Sequence, residues 1–305
     1  MIKTAVYNLM TYGKKSLGFL LFIVCSIAIY TKVLAHENWL EYGSQIRAQF
    51  ELIPFYDWVL LLALMGCNFL IESIKWKQLV QKNNTISFAK SVGSVFVGQA
   101  FAFFTPNRVG EYIGRTIFLD KGNKALGVAQ MAWTSYAQLL ITILMGSIAL
   151  FWNLPFLPWL KWVAPLLSVG AFFLFFYRKQ FSGRAAVLNR IQIPTPAKAS
   201  LLLLSFLRYL VFTAQYLWAA QMLGMDIPIF SLVSSVAVLF ICLTILPTIS
   251  ITELVVRGQL LLLILAPWYH NQIMIVSLSS LIWVVNFLLP AIIGTLLLLG
   301  FRLNR

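Results

Sequence analysis

The feature of this sequence that most restricts its fold is a series of apolar blocks, each about 20 residues long, the length a helix needs to cross a bilayer core. Uninterrupted blocks at 16–35, 55–76, 125–151, 158–177, 199–222 and 272–300 predict six full transmembrane helices. The composition leaves little choice. Of 305 residues, 60% are hydrophobic and 10% charged, whereas a soluble domain carries roughly a quarter charged residues to solvate its surface. The expected fold class is an all-α polytopic membrane protein.

Two further apolar stretches are interrupted. The first, 88–104, is broken by Thr105-Pro106-Asn107 and resumes as an amphipathic run to about Asp120; the second, 230–246, is broken at Pro247 and resumes from Thr252 to about Ala266. Each half is short or polar for a full crossing, and a break at membrane depth survives only where protein or a wet cavity surrounds it. Both therefore predict re-entrant helical hairpins. The basic residues agree with this reading. With both hairpins returning to their own side, the stretches 1–15, 75–90, 107–124, 178–198 and 302–305 are cytoplasmic and carry 18 Lys and Arg. The outer stretches 36–54, 153–161, 223–228 and 267–271 carry only Arg47 and Lys161, with Lys32 at the outer rim. The positive-inside rule then places both termini in the cytoplasm.

The order span, span, hairpin, span now occurs twice, about 16–152 and about 153–301, once starting inside and once outside. That is an inverted-topology repeat within a single membrane domain, a build in which sites form where broken helices meet. The run 37–53 places Trp39, Tyr42, Ile46, Phe50 and Ile53 at helical spacing and predicts a short helix on the outer face, with an ordered loop as the alternative.

Several function classes are excluded or disfavoured. The net charge of +14 sits mainly between apolar blocks, and no long soluble segment exists to form a groove, so no nucleic-acid partner is expected. Cys25, Cys67 and Cys242 lie inside apolar blocks without a disulfide or metal spacing, and His36 and His270 stand alone. No P-loop, dinucleotide fingerprint or zinc-protease motif is present, so no cofactor, metal ligand or catalytic residue is assigned.

The chemistry concentrates at the two breaks. In Thr105-Pro106-Asn107-Arg108-Val109-Gly110-Glu111-Tyr112-Ile113-Gly114-Arg115, Pro106 breaks the helix. Glu111 and Arg115 share one helix face, and Gly110 and Gly114 admit a close neighbour. In the second half Pro247 makes the break and Glu253 and Arg257 again stand four apart, now within apolar sequence, where a charge costs about 2.5–3.5 kcal/mol on insertion scales. Arg208, in the middle of 199–222, is a third expensive charge that either snorkels or pairs with Glu253. Each pair reads as a structural salt bridge, as the lining of a polar pathway, or as both.

The run from Pro106 to Arg115 resembles the P-x-R-x-G-E-x-x-x-R signature of the lysylphosphatidylglycerol synthase transmembrane, flippase-like family, with Lys75-Trp76 and the Pro247 to Glu253 segment in support. The resemblance covers roughly 15–300. It departs where the family is glycine-rich before its second glutamate, because Thr248-Ile249-Ser250-Ile251-Thr252 stands there. It implies an inner-membrane protein that translocates or handles lipids. The sequence runs only to Arg305, so the aminoacyltransferase chemistry of the synthase members is not expected of it.

The expected function is therefore a lipid flippase or transporter, with phospholipid or polyprenyl-linked lipid as partner. Arg108, Arg115 and Arg257 would engage phosphate, and Glu111 and Glu253 would hold those arginines or bind an amine or coupling proton. The alternatives are a membrane enzyme using Glu111 and Glu253 as an acid/base pair, and an accessory subunit. A membrane-protein partner or a second copy stays open.

Overall fold

The computed structural model describes residues 26–27, 44, 47–81, 83–105, 108–153, 160–177, 193–246 and 250–303. Among these the regular structure is helical, with no strand. Ten helices organise it: α1 (Phe55–Val80), α2 (Phe88–Phe103), α3 (Gly110–Thr116), α4 (Lys124–Asn153), α5 (Leu160–Phe176), α6 (Thr195–Met222), α7 (Ile229–Ile245), α8 (Ser250–Leu265), α9 (Gln272–Trp283) and α10 (Leu289–Leu303).

Four helical runs among the described residues are long and apolar enough to cross a membrane: Phe55–Val80, Lys124–Leu150, Thr195–Met222 and Gln272–Gly300. The chain is a helical membrane protein. These runs match four of the expected spans. The block 158–177 forms the 17-residue α5, with Pro165 inside it, and the block 16–35 falls almost wholly outside the described residues. Large apolar side chains such as Leu62, Leu70, Phe173, Leu203 and Leu296 face outward, as a bilayer solvent requires. Of the run 37–53, residues 47–51 are helical, Phe50 lies 5.9 Å from Trp58 ring to ring, and Ile53 is buried.

Local chemistry sets the helix ends. Pro54 precedes α1 in an extended conformation, Asp57 lies in the first turn and Lys77 in the last, aligned with the helix dipole. The Ser87 hydroxyl accepts from the Lys90 N–H at 3.3 Å to start α2. Between α9 and α10 the helix widens to π geometry over Val284–Leu288. Pro290 follows two residues later; it has no N–H and would crowd the carbonyl four residues back, and the widened turn lets one helix continue through it.

α2 and α3 pack against each other, and so do α7 and α8. α2 also lies against α10, while α7 lies against α4; α1 and α6 pack side by side between these groups. The main core runs through α1, α6, α7, α8 and α9, with Leu61, Trp76, Tyr216, Leu239, Leu261 and Leu278 fully enclosed.

Three basic residues of the stretches assigned above to the cytoplasmic side are buried. Lys75, Arg115 and Lys198 all lie inside the bundle. Lys198 donates to the carbonyl of Phe175 at 2.6 Å, capping the end of α5 where helical carbonyls lack partners. Their positions are set by partners in the protein, not by the bilayer potential alone.

Candidate functional site

The site is anchored by a residue that the sequence motifs do not include. Glu72, on α1, is 5% exposed and accepts from three cations: Lys75 Nζ at 3.1 Å, Arg115 Nη1 at 2.8 Å and Arg208 Nη1 at 3.0 Å. One turn earlier on the same face, Asn68 Oδ1 accepts from Arg208 Nε at 2.7 Å. Arg208 thus pairs with Glu72 and Asn68, which is neither of the two alternatives, snorkelling or pairing with Glu253. It is held sideways in the bundle because α1 and α6 pack face to face, which leaves the arginine within reach of α1 and gives it no need to snorkel. Lys75 also reaches Gln138 Oε1 on α4 at 3.4 Å. A buried carboxylate shared by cations from three elements ties those elements together, since removing one partner of a buried pair costs about 3–5 kcal/mol.

Arg115 completes this network from α3. Its Nη2 pairs with Glu111 one turn back, as the spacing predicts, and the guanidinium lies 5.9 Å from the Trp76 ring. The approach is possible because of the glycines. A Cβ on Gly114 would stand 2.7 Å from Gly98 Cα and 2.9 Å from the Val97 carbonyl, and one on Gly110 would strike the Phe101 carbonyl. The turn between α2 and α3 is closed by Thr105: its hydroxyl donates to the Phe101 carbonyl at 3.1 Å and accepts from the Gly110 N–H at 2.7 Å. Pro106 and Pro247, the expected break residues, lie outside the described residues.

Arg108 follows that turn with φ +58°, a left-handed conformation that costs a side-chain-bearing residue about 1–2 kcal/mol. Its guanidinium bonds Gln99 Oε1, its Nε lies 3.7 Å from Glu111 Oε2, and its carbon sits 4.9 Å from the centre of the Phe287 ring. Arg257, on α8, reaches the same ring from the other helix pair, at 5.2 Å. Its Nη2 pairs with Glu253, as the i,i+4 spacing predicts, and its Nη1 donates to the Tyr216 hydroxyl at 2.8 Å. Phe287 and Asn286 belong to the π segment, so the widened turn presents both to this junction.

These groups border one cavity of about 650 Å³, within the range of pockets that hold small ligands. Arg108, Arg208, Glu253 and Arg257 line it, as do the neutral polar Asn68, Gln138, Thr142, Thr244 and Asn286. Phe69, Tyr209, Phe212, Phe240 and Phe287 supply aromatic wall. Glu111 and Arg115 do not line it; they stand behind Arg108 and Arg208, locked to each other and to Glu72. Arg115, 1% exposed, is therefore a support for the cavity and not one of its donors. For the same reason Glu111 and Glu253 do not face each other across the space as an acid/base pair would. Among the described residues, no three His, Cys, Asp or Glu side chains gather in metal-binding geometry.

Sequence reasoning missed Glu72, Asn68, Gln138, Asn286 and Phe287. Glu72 carried a usable signal: an acid within an apolar span, three residues before Lys75. Phe287 carried none, being one of 24 phenylalanines. Compared with family models, with curated proteins and with solved structures, the chain matches none of them.

Proposed function

We propose that this protein is a lipid transporter of the flippase type, in which a polar headgroup passes through the cavity while its acyl or prenyl chains remain in the bilayer. The observation that carries the reading is the meeting of Arg108 from the first helix pair and Arg257 from the second at one cavity inside an apolar bundle. Charges so placed are expensive in hydrocarbon and mark substrate pathways.

In this reading the membrane holds six spans and two re-entrant pairs, α2–α3 and α7–α8, related by an inverted-topology repeat in the inner membrane with both termini cytoplasmic. The packing supports it. Exchanging the repeats turns the α4–α7 contact into the α10–α2 contact, and both are present. The α1–α6 contact maps onto itself, as a pair astride a pseudo-two-fold axis must. Arg108, Arg208 and Arg257 contact the headgroup, whereas Glu72, Glu111 and Arg115 hold two of those arginines in place. Rocking of one repeat against the other exposes the cavity to alternate faces.

Reconstitution into liposomes tests this directly. Labelled phospholipids and polyprenyl phosphates are scored for movement between leaflets. The wild-type protein accelerates at least one class, and Arg257→Gln abolishes the effect while the protein remains monodisperse. Unaccelerated movement of every lipid in the panel sinks the proposal.

A further inference from the structure

The charges of the site do not balance. Lys75, Arg108, Arg115, Arg208 and Arg257 are gathered with only three carboxylates, Glu72, Glu111 and Glu253, which leaves two positive charges over. Arg108 and Arg208 share their carboxylates with Arg115 and Lys75, and both line the cavity, so the excess is felt there. The sequence has nine acidic residues, and none of the other described ones supplies the balance. Glu51 is paired with Arg47 on the surface. Asp57 is in the first turn of α1, far from Glu72 along the helix. Asp120 and Asp226 are exposed in connections. Arg108 and Arg208 open onto the cavity with side chains 34% and 27% exposed, so the excess positive charge of the network draws an anion into that space.

The donors left over show where that anion bonds. The Nε of Arg257 is buried and has no hydrogen-bond partner, and the Nε of Arg108 comes no nearer to Glu111 Oε2 than 3.7 Å. Both residues line the cavity. Phe287 stands between the two guanidiniums, 4.9 Å from one and 5.2 Å from the other. They are thereby held as two separate forks on one space.

We infer that the headgroup taken here is a terminal phosphate monoester, recognised as a dianion, and this rests on the transport reading for its lipid part. A monoester carries about −1.5 to −2 near neutral pH and offers three terminal oxygens. It neutralises the excess and gives one oxygen each to Arg108, Arg257 and Arg208. A phosphodiester leaves one charge unmatched and one donor unused. A zwitterionic headgroup leaves both charges unmatched.

Binding in lipid nanodiscs tests the inference by comparing phosphatidic acid with phosphatidylmethanol of identical chains, which differ by one methyl group and one charge. The wild-type protein binds phosphatidic acid at least about tenfold more tightly, and Arg108→Asn, which tolerates the left-handed backbone, brings the two lipids to parity. Equal binding by the wild-type protein overturns the inference, whatever the variant does. Displacement of phosphatidic acid by an equal concentration of glycerol 3-phosphate or inorganic phosphate also overturns it, since the ligand is then soluble. Transport is read separately in liposomes. Equal movement of both lipids overturns the monoester assignment and leaves the transporter reading standing. Selective binding with no movement of either lipid keeps the monoester assignment and removes the transporter reading.

Discussion

Glu72 and Arg108 carry opposite kinds of cost. Glu72 satisfies three buried cations at once, so Glu72→Gln leaves Lys75, Arg115 and Arg208 short of an anion and should destabilise by about 3–5 kcal/mol. Thermal unfolding in detergent reads this. The double variant Glu72→Gln, Lys75→Met removes one charge of each sign and should recover part of the loss; an unchanged midpoint for Glu72→Gln would show that the network contributes nothing. Arg108 instead sits in a strained left-handed conformation that glycine adopts freely. Arg108→Gly should therefore unfold no earlier than wild type, while the proposed transport is lost. Strain retained at a cavity-lining residue is the expected signature of a side chain kept for function rather than for stability.

These two residues also mark what could be read from the sequence. Both i,i+4 pairs, Glu111–Arg115 and Glu253–Arg257, were legible because helical spacing alone brings their side chains together. The partner of Arg208 was not, because it depends on which helix packs against α6, and a hydropathy pattern carries no information about neighbours. Arg115 was placed with the phosphate donors for the same reason. Its spacing shows one partner, and the second, Glu72, arrives from 43 residues away.

Around α2, close packing turns on glycines of its two neighbours, whereas a glycine of α5 stands in open space. α2 is held on one side by Gly110 and Gly114 of α3 and on the other by Gly294 of α10, where a Cβ would strike the Phe96 carbonyl. Gly110→Ala and Gly294→Ala should each cost about 1–3 kcal/mol through forced separation of backbones. At Gly170, on α5, a methyl group would meet nothing within 4 Å, and Gly170→Ala should be neutral or stabilise by up to about 1 kcal/mol through helix propensity. Unfolding midpoints of the three variants side by side check this ordering. The four long helices were readable from hydropathy because each needs only length and apolar composition. The π segment at Val284–Leu288 was hidden, since the widening that accommodates Pro290 leaves no trace in an unbroken apolar run.

For the whole molecule, the proposed repeat assigns sides that can be measured. Thr85 and Asp226 are both exposed, in connections the basic-residue pattern places on opposite faces. In a background with Cys25, Cys67 and Cys242 replaced, Thr85→Cys should react with a membrane-impermeant thiol reagent only from the cytoplasmic side, and Asp226→Cys only from the outer side. Labelling of both from one side would remove the inverted repeat. The burial of Lys75, Arg115 and Lys198 makes this measurement necessary, because three of the charges used to orient the chain have protein partners of their own.

The distribution of ionic bonds has a mechanical corollary. α3 is fastened to α1, and through Glu72 to α6, by charged contacts, whereas α8 keeps its ion pair within itself and meets the Tyr216 hydroxyl of α6 through Arg257. The two helix pairs are thus seated by different forces: α3 is held by ions, and α8 by its buried Leu261, Leu262 and Leu265. Glu72→Gln should therefore speed deuterium exchange at the backbone amides of α3 more than at those of α8.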